Sequence, residues 1–348
     1  MPAIKGLVIL GNKQAEIREF QDPAPGPNQV VVAMKAAAIC GSDTHWYRLT
    51  PEELGAKRTQ IILGHEPCGV VDSVGSDVAH VKKSDRVIVY QFLGCGCCGY
   101  CSVGEYYYCE KSIRIHGINV HGSMADFMLT DERNCLKLPN ELSFIDGMFI
   151  SCIAGTAYSS IKKLVVSGQD TLFVNGLGPL GLVTAIFGKI FGASVITTDV
   201  LEERLTLARD IGIDEVLDAS KVDVVQEVDR LTKGHGATVA FDSTGVIDAN
   251  ISTISAMARH GKIVFAGKNY GSRGINLGDV ELGFLRKQLT LMGVLIYPKH
   301  MYREIARFVI ENKVPLESIV THRFSIEEGI KAMQICETGR CGKVIYEW

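Results

Sequence analysis

Two textures of hydrophobic and polar patterning divide the chain. Up to about residue 150, short β-branched runs such as Gln29-Val30-Val31-Val32 and Arg86-Val87-Ile88-Val89 are broken by glycine, proline and other turn formers. That pattern predicts an irregular, strand-rich domain over 1–152. From about 153 apolar runs recur at 171–174, 194–197, 238–241, 262–265 and 289–292, with helical periodicities between them, as over 202–211 and 247–258. Strand and helix in steady alternation predict a parallel sheet with helices on both faces over 153–293, and an α/β fold class. The segment 294–348, with a helix-like 301–311 and a closing strand near 343–346, leaves this rhythm and is expected to return to the first domain.

Composition narrows the class without naming a chemistry. A chain of 348 residues with 47% hydrophobic and 22% charged residues suits two globular domains. Lys plus Arg total 36 against 39 for Asp plus Glu, a formal charge of -3, so no nucleic-acid or membrane partner is expected. The opening MPAIKGLVILGN is too short an apolar stretch for a signal peptide, and no membrane-spanning run follows. Eleven cysteines in metal-like spacing read as thiols of a reducing compartment, which predicts a cytoplasmic protein.

Four of those cysteines, Cys95, Cys98, Cys101 and Cys109, lie in the glycine-rich run GCGCCGYCSVGEYYYC. Four thiolates gathered by tight turns suit one tetrahedral zinc ion that holds a lobe and does no chemistry. The fifth thiol, Cys97, is a bystander to that spacing.

A second motif opens the alternating half. Thr171 to Gly181 reads as a strand entering Gly176-x-Gly178-x-x-Gly181, with Pro179 and Leu180 inside the turn and a helix from Leu182. Glycines let backbone approach a pyrophosphate, and the helix start supplies free N–H groups. Asp199, 23 residues after Gly176, ends the next strand where a carboxylate can accept from ribose hydroxyls and repel a 2'-phosphate, so NAD is expected over NADP. Arg204 reads as a neighbour of the adenine or ribose, or as a helix surface charge.

Cys40, in Cys40-Gly41-Ser42-Asp43-Thr44-His45, and His65, in Gly64-His65-Glu66-Pro67-Cys68-Gly69, offer a thiolate and an imidazole for a second zinc, and Cys152 offers a third donor. Singly, Cys68 and Cys152 also read as small buried hydrophobes and His65 as a satisfied core histidine. Taken together and in order, Gly64-His65-Glu66-x-x-Gly69 with Gly75 and Val78, the four-cysteine lobe, Cys-Gly-Ser-Asp and Gly-Leu-Gly-Pro-Leu-Gly resemble the zinc-containing alcohol dehydrogenases of the medium-chain dehydrogenase/reductase superfamily. The resemblance covers essentially the whole chain.

That resemblance implies a GroES-like β-rich catalytic domain joined to a Rossmann domain, with two zinc ions per chain and NAD. It implies Cys40, His65 and Cys152 as catalytic zinc ligands, with Glu66 and Asp43 behind them and Asp43 orienting the His65 ring. It gives Ser42 and His45 proton-relay positions and sets Thr156 on the nicotinamide. It places Lys343 near the pyrophosphate, with Arg340 competing, and Trp46, Gln91, Arg114 and His116 along the substrate pocket. The implied reaction is oxidation of a secondary alcohol with hydride passing to NAD. Three polar residues among those four favour a polyol, sugar derivative or amino-alcohol over a plain alkanol. Many polyol-oxidising relatives carry glutamate where this chain has Cys152, which weakens assignment to the sorbitol or threonine dehydrogenase branches and leaves the branch open. Oxidation of simple alcohols, or carbonyl reduction by the same site, is the neighbouring reading.

Other classes fare worse. A zinc-free reductase of the superfamily would lack the ligand residues, and all seven are present. A nucleic-acid zinc finger needs a basic element, yet Glu105 and Glu110 flank the lobe's tyrosines. A redox sensor built on the lobe leaves the rest of the chain unexplained. The strand 289–294 offers a route to a homodimer, and a homotetramer is equally compatible.

Overall fold

The computed structural model describes residues 3–268, 274–279 and 282–348. The chain divides into two compact units, Met1–Gly155 with Pro298–Trp348, and Thr156–Tyr297.

In the second unit six parallel strands lie in the order Glu215–Asp218, Ser194–Asp199, Thr171–Asn175, Ala237–Asp242, Met257–Phe265, Thr290–Gly293. Leaving the first strand toward one edge and then returning past it creates a switch point at Thr171–Asn175, the place where open α/β sheets bind ligands. The central strands are apolar and buried on both faces, as at Leu172, Phe173, Val174, Val239, Ala240 and Phe241, because helices such as Pro179–Ile190 and Ile247–Ser255 cover them. Thr290–Gly293 forms one edge of the sheet.

The first unit is built on a seven-stranded sheet. Its main path runs Val320–Phe324, Lys343–Glu347, Gln29–Ala38, Pro67–Val74, Arg86–Val89, Cys135–Lys137, and Phe127–Asp131 also pairs with Gln29–Ala38. Lys343–Glu347 and Pro67–Val74 both run antiparallel to the end of Gln29–Ala38, with Ala38 opposite Ile345 and Ala37 opposite Pro67. Three chain segments distant in sequence therefore meet at one end of one sheet. Among the described residues no single helix is long and apolar enough to cross a membrane.

Candidate active site

The candidate ligand residues stand at the meeting point of those three strands. Cys40 follows the strand Gln29–Ala38 by two residues, His65 and Glu66 directly precede Pro67–Val74, and Lys343 opens Lys343–Glu347. Gly64 turns the chain into His65 at φ +95°, where a β-carbon would strike Ser123 Oγ and the Met124 backbone. Cys152 ends the helix Phe144–Ser151, which a Ser143–Asp146 capping box starts and whose buried Met148, Phe149 and Ile150 fix it in the core.

One donor atom from each of Cys40, His65, Glu66 and Cys152 lies within 4.8 Å of every other. The expected trio is thus gathered, with Glu66 as a fourth member. The Cys152 thiol hydrogen-bonds to Cys40 and holds the Cys40 thiol well below its usual range, while that bond and burial raise Cys152. Burial pushes His65 down, but the Asp43 carboxylate and Cys40 outweigh it and lift the imidazole to about 9. Asp43 Oδ1 stands 3.6 Å from His65 Nδ1, and neither buried atom has a hydrogen-bond partner among the described residues. Its Oδ2 accepts from the Cys40 N–H at 2.9 Å. Two thiols, one half-buried and one buried, and a buried imidazole with a carboxylate 3.6 Å behind it make the donor set of a Cys2His zinc centre, and the residues fit that ion.

The helix Gly41–Arg48 sets the neighbours. Ser42 Oγ lies 3.5 Å from His65 Nε2. His45, three residues on and so on an adjacent helical face, is half-buried beside Trp46. Trp46 lies under the Arg58 guanidinium at 5.3 Å, and Gln91 is buried. Arg58, 7% exposed, donates to the Gly117 and Ile118 carbonyls and acts on Asp43 by charge. Nothing local in the sequence marks it, since its partners lie 59 and 60 residues away.

Three expected roles are corrected. Lys343, expected near a pyrophosphate, is 1% exposed, with Nζ 2.6 Å from Glu66 Oε2 and donating to the Ile39 carbonyl at 3.0 Å. Its charge is committed inside the first unit. Burial lifts Glu66 to about 7 even against that lysine. Arg114, expected in the pocket, is exposed and paired with Asp131 at 3.2 Å. His116, expected beside it, is fully buried with Nδ1 on the His121 carbonyl at 2.8 Å and Nε2 on Thr130 Oγ1 at 3.0 Å. Both ring nitrogens are used in the core.

Burial depresses His116 to about 4. Between that value and the ordinary 6.5 the unfolded chain binds a proton that the folded chain refuses, so stability falls as pH falls through this window. From pH 7 to pH 5 this one residue is expected to remove about 2 kcal/mol, whereas His116→Gln lacks that component. Urea unfolding at the two pH values checks it, and equal pH dependence in both proteins would sink the assignment.

In the second unit, the turn after Thr171–Asn175 holds Gly176, Gly178, Pro179, Leu180 and Gly181, with Gly178 as N-cap of Pro179–Ile190. A β-carbon on Gly181 would overlap the Gly176 carbonyl, so only glycine lets the helix start so close to the strand. Asp199 accepts from the N–H groups of Leu177 at 2.7 Å, Val200 at 2.7 Å and Leu201 at 3.1 Å, and meets Arg204 Nη1 at 3.3 Å. The carboxylate therefore also anchors the glycine turn. Thr156 is buried in the helix Ile153–Leu164.

The lobe gathers Cys95, Cys98, Cys101 and Cys109 within 4.8 Å of one another. Backbone N–H groups point at its sulfurs, Cys95 to Cys109 and Cys98 to Cys95 at 3.3 Å each. The Ser112 N–H and its neighbours lower the Cys109 thiol to about 6, as a thiolate site for zinc requires. Cys97 is exposed, with Lys111 Nζ at 3.4 Å.

Comparison with known proteins agrees with this geometry. Residues 26–140 match the alcohol dehydrogenase GroES-like domain, and residues 179–311 match the zinc-binding dehydrogenase domain. An uncharacterised zinc-type alcohol dehydrogenase-like protein of Escherichia coli (strain K12) is 34% identical over 99% of both chains. An L-threonine 3-dehydrogenase of Saccharopolyspora erythraea is 32% identical over 96% of this chain and 95% of its own length. A crystal structure of an NAD-dependent alcohol dehydrogenase superposes with TM-score 0.87 at 30% identity, covering 100% of each chain.

Proposed function

Because the chain belongs to the zinc-type alcohol dehydrogenases, we propose that it oxidises a secondary alcohol bearing further polar groups, with hydride passing to NAD. The observation that carries this reading is the gathered Cys40–His65–Cys152 donor set with Asp43 behind the imidazole. Zinc held there would supply the positive charge that lowers the pKa of a bound hydroxyl. A second zinc would hold the cysteine lobe, giving two per chain. Asp43 fixes the His65 ring so that Nε2 stays with the thiols. Ser42 Oγ, beside that nitrogen, receives the hydroxyl proton, and His45, three residues on along the same helix, takes it toward solvent.

A polar secondary alcohol is favoured because one 32% identical relative is an L-threonine 3-dehydrogenase and its named substrate is such an alcohol. Ser42 also leaves more room than threonine would. Gln91 and Trp46 remain as candidates for the polar contacts. The edge strand Thr290–Gly293 suits pairing with a second copy in a homo-oligomer.

A panel of polyols, amino-alcohols and simple alkanols, followed by nicotinamide absorbance on protein with counted zinc, tests the substrate class. Polar secondary alcohols are expected to exceed propan-2-ol about tenfold or more in kcat/KM, as one unpaired polar group in the pocket implies. Equal turnover removes the polar-substrate reading. For the cofactor, Asp199→Gly is expected to narrow the preference for NAD over NADP by roughly ten- to a hundredfold, the worth of a lost charge-assisted contact. An unchanged ratio would mean that another group selects the dinucleotide.

A further inference from the structure

A cavity of about 540 Å³ opens in the first unit between the cysteine lobe and the start of the helix Tyr302–Glu311, away from the Cys40 centre. Lys299, His300 and Arg303 line it, and no acid does. Lys299 is half-buried, yet its ammonium has an aromatic partner and no counter-charge on the cavity wall. Its Nζ donates to Tyr106 Oη at 3.2 Å and lies 4.8 Å over the Tyr106 ring. Burial first, and then repulsion from Arg133, hold the ammonium below its usual range against the opposing pull of the Cys135 thiol behind the wall. An uncompensated cation in such a place is costly unless an anion joins it. His300 donates from Nδ1 to the Val103 carbonyl at 2.8 Å, which fixes its ring on the cavity wall. Arg303, one helical turn from Lys299, is exposed and adds a planar fork suited to phosphate. Tyr106 and Leu136 supply apolar wall for an organic body.

We propose that this cavity binds a small organic phosphate, its dianionic head held by Lys299 and Arg303 and its body against Tyr106. The site is separate from the hydride-transfer chemistry and stands or falls without it. Two charge-assisted contacts match a dianion better than a single carboxylate, and the cavity is larger than the phosphate group alone needs.

The test is calorimetric titration of the zinc-loaded protein, with NADH present to fill the dinucleotide turn, using phenyl phosphate, inorganic phosphate and phenol. Phenyl phosphate is expected to bind one per chain, inorganic phosphate more weakly, and phenol not at all. Lys299→Met should weaken phenyl phosphate about tenfold or more, and Arg303→Gln severalfold, with zinc content unchanged. Should Lys299→Met not fold, the exposed Arg303→Gln carries the comparison. Absence of binding, or binding that ignores both substitutions, overturns the proposal. So does loss of lobe zinc in Lys299→Met without phosphate binding by the parent, because the cations would then serve the lobe's thiolates.

Discussion

Replacing Cys152 with alanine is expected to remove about one zinc per chain and to lower kcat/KM about a thousandfold or more. Cys152 is 8% exposed and stands where one helix ends and the next begins, with backbone φ -139° and ψ -81°. Neither torsion can relax to bring another donor in, because Met148, Phe149 and Ile150 on one side and Ala154 on the other are fully buried. With two donors and Glu66 left, a site of this kind loses affinity, and the Lewis-acid contribution of several kcal/mol goes with the ion. A loss of roughly 4 kcal/mol is a factor of about a thousand. Zinc by atomic absorption and steady-state kinetics on the same sample decide it; full metal and full rate would remove Cys152 from the ligand set. Cys109→Ala provides the contrast. It should release the lobe's ion and lower stability first, leaving the zinc at Cys40 in place.

The second large effect is expected at Lys343. Its ion pair with Glu66 is buried on both sides, at 1% and 0% side-chain exposure, so water does not screen it. Lys343→Met would take from Glu66 the cation paired with it at 2.6 Å and would strip the Ile39 carbonyl of its donor. Breaking one side of a buried pair costs about 3–5 kcal/mol. Pairing the change with Glu66→Gln removes the orphaned charge and should return part of that loss, a coupling of about 1–3 kcal/mol in a double-mutant cycle. Urea unfolding of the four proteins measures it, and additive losses would show that the two residues do not act as a pair.

Much of this architecture can be read along the chain. The runs at 171–174, 194–197 and 238–241 are rich in β-branched and aromatic residues and flanked by turn residues, and a strand covered on both faces has little alternative. The glycine turn and the cysteine lobe are local patterns whose geometry follows from spacing. The strand Glu215–Asp218 left no such mark, because it sits at the sheet edge, is only partly buried, and carries charges at both ends. The helix Gly41–Arg48 is likewise hidden, being short and mostly polar. Site residues divide in the same way. Cys40 and His65 stand in recognisable local strings, but the fate of His116 is set by Thr130 and the His121 carbonyl, which nothing around position 116 announces. Lys343 is further from view, because its partners are fixed by which strands neighbour Gln29–Ala38.

That sheet order also sets a timetable. Lys343 meets the Ile39 carbonyl across 304 residues of chain. At about 5–20 residues per second, ribosomal synthesis separates them by roughly 15–60 s. For that interval Cys40, His65 and Glu66 exist without the lysine that neutralises Glu66, and without the strand that closes the sheet beside them. The nascent chain therefore carries an unfinished cluster of metal-avid groups long before it can seal it, and the order in which metal and last strand arrive becomes part of how this protein matures.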